Sequence, residues 1–331
     1  MSEIILGINN LSLKTGISIH EFPIYYFDSF LGSEIFYFIS NDIILPFTVR
    51  KNYFLKQCQC VFYPLRNNNR LDAHQEELFL NEFIKVITER KIADRIVQPL
   101  NHVIFRGFPK DAITCKFGSY YIDLSLSEEK IWSGIHSKHK NVIRNAEKNK
   151  VKILSGINVI DDFYSLYVST MKRSNMHFEP LSFFKNIFSL NSQFILCNVA
   201  YVDDTPVGGV FVPFTNYAAF YVYGASADNT IVNGAINYLH WDLIKHLKAK
   251  GIRYYDFVGA RLSDVSNTRL YGIQKFKVRF GTQLENGYLW KYDISVMKCL
   301  FYELLFKVKL VIKNANYPFD IIDQERRKVI I

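Results

Sequence analysis

With 331 residues, 49% of them hydrophobic, the chain is long enough for two domains and rich enough in apolar side chains for a sizeable core. A net charge of +9 offers a basic surface to an anionic partner: nucleic acid, a nucleotide-linked or lipid-pyrophosphate substrate, or an anionic membrane. Five scattered cysteines, of which only Cys58 and Cys60 are close, argue against structural zinc and for a reducing compartment. No apolar run approaches the roughly 20 residues of a membrane span, and the start lacks a basic and apolar leader pattern, so a cytoplasmic location is expected.

Glu34 to Leu65, EIFYFISNDIILPFTVRKNYFLKQCQCVFYPL, is dense in aromatic and β-branched residues and predicts consecutive strands. RNNNR, Arg66 to Arg70, is a polar break. From Asp72, a plausible N-cap, DAHQEELFLNEFIKVITERK sets Leu80, Phe83, Ile84 and Ile87 on one helical face. Strand-like sequence follows down to SYYIDLSLS, so the first half reads as a mixed α/β unit. Ser127 then opens SEEKIWSGIHSKHKNVIRNAEKNKVKIL, where Ile131, Ile135, Val142, Ile143 and Ala146 mark helical faces. His136, Lys138, His139, Lys140, Arg144 and Lys148 make this the most cationic region, and such a run is usually a solvated face.

The second half begins with KVKIL as a strand, then DDFYSLYVSTMKR and PLSFFKNIFSL as helices, the latter opened by Pro180. QFILCNVAYVDDTPVGGVFVPFTNYAAFYVYGAS reads as a meander turning at Asp203–Asp204 and Thr215–Asn216. NGAINYLHWDLIKHLKAKG is the strongest helix, with Ile236, Leu239, Leu243 and Leu247 as its stripe and Gly251 at its end. RYYDFVGA reads as a strand. YGIQKFKVRFG, Tyr271 to Gly281, is ambiguous. A period of two gives a strand with Lys275, Lys277 and Arg279 on one face, whereas a period near 3.6 gives an apolar stripe of Ile273, Phe276 and Phe280, with Gly281 at a C-cap. GYLWKYD is a last strand. Ser295 to Phe319 predicts an amphipathic helix with Met297, Leu300, Leu304, Val308 and Val311 or Ile312 on its apolar face. That face is expected to pack on the chain's own domain, leaving Lys298, Lys307, Lys309 and Lys313 outward for weak contact with an anionic membrane.

Strand, two helices, an antiparallel meander, a central helix, strand, helix and strand is the order of the GNAT acyltransferase fold. Within it, YYIDLS…HSKHKNVIRNAEKNKVKIL, YLHWDLIKHLKAKGIRYYDFVGA and GIQKFKVRFG together resemble the FemABX family. The last is similar to that family's G-x-x-x-F-K-x-x-F-G signature, and the likeness runs from about residue 120 to 292. The family's first-helix arginine is His139 or Asn141 here, and no coiled-coil arm is evident, so the resemblance is to the shorter, armless members. It implies an α/β (α+β) fold of two GNAT-like domains with mixed, mostly antiparallel sheets flanked by helices. The N-terminal one would cover 1–150, joined by 294–331, and the C-terminal one 151–293. It also implies the helical reading of GIQKFKVRFG, with Lys277 projecting toward the substrate cleft. The implied activity is acyl or aminoacyl transfer to an amino group of a cell-envelope precursor, of peptidoglycan or surface polysaccharide.

Acyl transfer to an amine needs a neutral amine, a positioned carbonyl and positive charge where the oxyanion develops. Lys277 could supply that charge. Asp256 could hold or deprotonate the amine, or instead organise the loop after it, and Gly259 lets the chain turn close to a ligand. Arg144 and Lys140 could grip phosphate, although surface charge is the plainer role for Lys140. Tyr217, Tyr221 and Tyr223 share a strand face; such stripes are mostly core, although Tyr223 can reach the cleft. Phe276 and Arg261 complete the expected substrate side. The donor loop NTIVNGAINY offers only Asn233, Gly234 and Ala235 where a CoA enzyme of this fold carries Q/R-x-x-G-x-G/A. The donor is thus aminoacyl-tRNA or acyl-CoA. Cys115 and Cys197 read as packing residues, and the spacing of His136 and His139 does not suggest a metal site, so no metal or permanently bound cofactor is expected. A CoA-dependent N-acetyltransferase acting on an amino sugar, or a non-catalytic module for a sugar nucleotide or lipid carrier, are the alternatives. Lys277→Ala is expected to abolish transfer and leave thermal stability nearly unchanged, as for an exposed lysine.

Overall fold

The computed structural model describes residues 2–7, 10, 34–67, 69–228, 232–312, 317 and 319–329. Strands β1 (Glu3–Leu6), β2 (Glu34–Ser40), β3 (Ile43–Asn52) and β4 (Leu55–Cys60) run antiparallel, as their aromatic and β-branched content predicts. Asn41 and Asp42, both at positive φ, supply the tight turn between β2 and β3. A short hairpin of β5 (Leu65–Arg66) and β6 (Asn69–Arg70) follows. Helix α1 (Ala73–Glu89) starts at Asp72, whose carboxylate accepts from the Gln75 N–H at 2.8 Å. It lays Phe79 and Phe83 on Phe38 and Phe47 with ring centroids 5.1–5.3 Å apart.

Strand β7 (Arg95–Ile96) and the long β8 (Ile113–Asp123) lead into α2 (Glu128–Gly134), α3 (Ser137–Lys148), β9 (Lys152–Ser155), α4 (Ile160–Arg173) and α5 (Leu181–Asn191). The meander is β10 (Ile195–Val202), β11 (Thr205–Pro213), β12 (Ala218–Phe220) and β13 (Tyr223–Ser226). Then come α6 (Ala235–Ala249), β14 (Tyr254–Asp256), β15 (Ala260–Arg261), α7 (Arg269–Val278), β16 (Gln283–Asp293), α8 (Val296–Ile312) and α9 (Ile321–Val329). Among the described residues the larger sheet runs β1-β2-β3-β4-β7-β16-β8-β14-β12, and the smaller runs β13-β11-β10-β9. Pairing is antiparallel except for β4–β7 and β12–β14. This is the expected class: mixed, mostly antiparallel sheets flanked by helices.

Two local features position the site. The last strand of the meander, read as one from the sequence, changes sheets. Ala218–Phe220 pairs in parallel with β14, whereas Tyr223–Ser226 pairs antiparallel with β11, so the two sheets diverge at Tyr221 and Val222. The ambiguous YGIQKFKVRFG is a helix. Phe280 is buried against Phe257 and His240, and Gly281, at φ +73°, turns the chain into β16.

Two sequence expectations fail here. His139 is not part of a solvated face: it is buried on α3 against Phe276 and Phe280, because α3 packs along α6. Beside it His240, fully buried on α6, bonds the Tyr255 hydroxyl through Nδ1 at 2.9 Å. Helix α8 also presents the opposite face from the one expected. It packs through Cys299 and Tyr302 on Leu55, while Met297, Leu300, Leu304 and Val308 are turned outward. Tyr302 is fixed there by accepting from Asn52 Nδ2 at 2.8 Å, and Lys298 is held by Asp94 at 2.8 Å. Lys313 lies outside the described residues. Helix α9 returns to β8, burying Ile322 among Ile104, Cys115, Phe117 and Leu289.

A Cβ on Gly281 would stand 2.6 Å from the Gly134 carbonyl oxygen, on top of the positive φ. Gly281→Ala is therefore expected to lower stability by roughly 1–3 kcal/mol, read as a shift of the urea midpoint. Burial lowers the imidazole pKa values of His240 and His139 to about 3 and about 4. Both stay neutral in the fold, while the unfolded chain takes up protons below the ordinary value near 6.5. Their contribution is thus complete above about pH 6.5 and is lost as pH falls toward about 4 for His139 and about 3 for His240. Melting temperature should drop over that window, less steeply in His240→Phe.

Candidate active site

Strand β14 ends at Asp256, and the ladder with β8 stumbles just beyond. Asp256 stands opposite Tyr121, and pairing resumes with Ala260 opposite Gly118, so Phe257, Val258 and Gly259 face only Tyr120 and Ser119. This is a β-bulge. Val258 and Gly259 both take left-handed backbone, at φ +56° and +65°. For a β-branched valine that conformation is strained.

Three groups hold the bulge. The Val258 N–H donates to Asp256 Oδ1 at 2.6 Å, and the Ser119 hydroxyl donates to the same oxygen. From α7, Lys277 sends its ammonium to the carbonyls of Val258 and Gly259, the latter at 2.8 Å. Lys277 is buried, and burial lowers its ammonium to about 8 against the pull of Asp256. Two of its three N–H donors are committed to the bulge. Burial also pushes the Asp256 carboxyl up to about 6, opposed by Ser119, the Val258 N–H and Lys277. Both hydrogen bonds land on Oδ1, and Oδ2 has no protein partner among the described residues.

Asp256 lines a small cavity of about 70 Å³ on the face of β12, β14, β8 and β16 that looks toward the first half of the chain. Ser119, Tyr121, Tyr217, Tyr254 and Glu285 share that face; Tyr63, Arg70, His102 and Arg106 close it from the other side. Arg70 lies 3.9 Å from the centre of the Tyr63 ring and donates to Glu285 at 3.1 Å and to the Ile104 carbonyl. Its buried Nε has no hydrogen-bond partner among the described residues. Arg106 donates to the same Glu285 oxygen at 3.0 Å. Two guanidinium groups thus share one carboxylate, leaving one positive charge in excess at the wall facing Asp256.

Of the residues singled out from the sequence, the fold gathers Asp256, Gly259 and Lys277 at the bulge. Lys277 lies beneath it rather than along the cavity, and Phe276 packs on His139 and His240 on the opposite face of β14. Arg144 is elsewhere, over the Trp132 ring at 5.6 Å, and Lys140 donates to the Ser133 carbonyl at the end of α2. Tyr223 is wedged among Tyr167, Phe183 and Phe184. Arg261 spends its guanidinium on Glu325 and Gln324, tying α9 to β15. Asn233 accepts from Asn145 through its carbonyl, and Gly234 abuts the Val142 carbonyl, so close approach of α3 accounts for this glycine. The cysteines fit the packing reading: burial, with Glu325 nearby, raises the Cys115 thiol to about 11. Nothing in the sequence alone singles out Arg70, Arg106, Ser119 or Glu285. RNNNR gave a polar break and nothing more, because what makes Arg70 special is the tertiary neighbour Glu285.

Residues 136–271 match the family model described as an acetyltransferase (GNAT) domain. The chain therefore carries a GNAT domain and is an acyltransferase. Its overall fold is that of FemX, whose crystal structure superposes with TM-score 0.65 at 12% identity over 86% of this chain and 92% of that one. The C-terminal domain of an Agrobacterium fabrum protein described as a lysylphosphatidylglycerol synthetase superposes with TM-score 0.52 at 13% identity, over 81% of this chain and 87% of that one. L-PGS from Bacillus licheniformis gives 0.50 at 11%, over 80% and 84%. None of the curated protein sequences matches this chain.

The burial of Lys277 reverses the sequence expectation for its removal. Lys277→Ala leaves two inward carbonyls without their donor and should lower the melting temperature by several degrees, where an exposed lysine would cost nothing measurable. Lys277→Arg should restore part of that loss.

Proposed function

We propose that the chain is an acyl- or aminoacyltransferase that forms an amide on an amino group of a cell-envelope precursor, of peptidoglycan or surface polysaccharide. The observation that carries the reading is the half-buried Asp256 carboxyl, its pKa near 6, in a cavity whose far wall holds Arg70 and Arg106. A group of that pKa is mostly ionised at neutral pH and suits a general base. In the proposed step Asp256 Oδ2 takes a proton as the acceptor nitrogen attacks the donor's acyl carbon. The C–N bond forms, the C–O bond of an aminoacyl ester or the C–S bond of a thioester breaks, and the proton passes to the leaving oxygen or sulfur. The arginine wall would receive an anionic part of the acceptor. Lys277 acts as a positioning residue that holds the bulge on which Asp256 sits.

The donor is aminoacyl-tRNA or acyl-CoA. The GNAT domain match favours CoA; the close packing of Gly234 against α3 favours a donor held elsewhere. A CoA-dependent acetyltransferase acting on an amino sugar is thus the second reading, and saturable CoA binding by the purified chain would favour it. We further infer an N-terminal unit of 1–150, joined by 294–331, and a C-terminal unit of 151–293. A cytoplasmic location and weak peripheral contact with an anionic membrane would bring the enzyme to a lipid-linked acceptor.

Asp256→Asn keeps one oxygen for Ser119 and the Val258 N–H but removes the base. Transfer to an amine acceptor should fall by about 10²-fold or more with the melting temperature shifted by only a few degrees. In the unsubstituted enzyme kcat/KM should rise with pH through about 6, as Asp256 loses its proton, and that limb should vanish in Asp256→Asn. Full activity in the variant would sink the proposal.

A further inference from the structure

Among the described residues, helix α8 leaves one face without a partner. At about 100° per residue, Met297, Leu300, Phe301, Leu304, Val308 and Ile312 fall within an arc of roughly 120°. Each is between 49% and 79% exposed. Isolated exposed apolar residues are ordinary; six large ones on one helical face are not. The neighbouring β3–β4 turn extends the surface. Tyr53, held at φ +56°, and Phe54 are both exposed there, and Phe54 contacts Phe301 with centroids 5.6 Å apart.

The charges around this arc are of one sign. Lys307 borders it on one side and Lys309, donating to the Tyr53 hydroxyl at 2.6 Å, on the other. Behind the aromatic turn, exposed Lys51 stands opposite exposed Lys56. The carboxylates of Asp94 and Glu303 are already engaged, the first with Lys298 and the second with Arg95 and Tyr317. A second copy of the chain seated on this face would set lysine against lysine at both rims. An anionic bilayer meets both demands at once, with acyl chains beneath the apolar arc and acidic headgroups beside the lysines.

We propose that the α8 arc and the Tyr53–Phe54 turn form the surface by which this chain docks on an anionic membrane. The proposal deepens the membrane contact suggested above and rests on α8 and the turn beside it, away from Asp256, so its failure would leave the acyl-transfer reading intact. The test is sedimentation of the full chain with phosphatidylcholine vesicles, with and without phosphatidylglycerol, at low and high salt. Binding to the phosphatidylglycerol vesicles is expected at low salt, at least tenfold stronger than to phosphatidylcholine alone, and weakened by salt. Leu304→Glu combined with Val308→Glu, at exposed positions, should cut that binding at least tenfold while leaving the melting temperature and acyl transfer unchanged. Lys307→Glu should give a smaller loss that high salt masks. Equal binding to both kinds of vesicle, or none at low salt, overturns the proposal. So does a concentration-dependent dimer that the double substitution dissolves, which would assign the face to a second copy.

Discussion

A lysine ammonium buried under two backbone carbonyls is the contact on which the site depends. Without a cation beneath them, the Val258 and Gly259 carbonyls would point inward unpaired, and a valine at φ +56° would have little reason to stay there. With it, the bulge is fixed, Ser119 and the Val258 N–H converge on Asp256 Oδ1, and Oδ2 is left over. The cost of hiding the ammonium shows in its pKa, brought down to about 8, and the nearness of Asp256 keeps the fall from going further. Lysine and aspartate thus form one electrostatic unit, although they point to different sides of the turn.

Around that unit the sheet works as a two-faced partition. Residues of β14 alternate. Tyr255 looks toward α6, where it meets His240, whereas Tyr254 and Asp256 look into the cavity shared with the first half of the chain. The histidine side is dry and aromatic, which explains why His139 and His240 stay neutral. The cavity side is polar, with Glu285 shared between two arginines. Because β16 pairs with β7 on one edge and β8 on the other, the cavity is walled by strands from both ends of the chain. Glu76 shows the same logic at the periphery. It sits buried on α1, accepts from the N–H groups of Arg106 and Gly107, and so fixes the backbone that presents Arg106.

Much of this was legible in the residues. The element order follows from periodicity and the helical reading of YGIQKFKVRFG from the FemABX resemblance, and the candidates Asp256 and Lys277 meet at one bulge. What stayed hidden has identifiable causes. Periodicity places a lysine between apolar positions at the surface, and only the bulge, a tertiary feature, draws Lys277 inward. Arg70 sits in a polar stretch that any turn would tolerate, and its role comes from Tyr63 and Glu285, the latter 215 residues away. Arg144 and Lys140 looked like phosphate ligands because charge density is visible in sequence while direction is not; one lies over Trp132 and the other caps α2.

Helix α8 carries the same lesson in energetic form. Its sequence contains two apolar faces, one of Cys299, Tyr302 and Phe306 and one of Met297, Leu304 and Val308, and a hydrophobic count favours the second. The fold chose the first because that face can also satisfy polar atoms. Tyr302 accepts from Asn52, Lys298 meets Asp94, and the rings of Tyr302 and Phe306 stack at 7°. An apolar stripe offers burial alone, which any apolar surroundings can supply, including the interior of a bilayer. A face with aromatic bodies and placed polar atoms needs one particular partner, and within a single chain that partner is always present. The packed face is therefore the specific one, and the face left outward is the one with the less demanding partner.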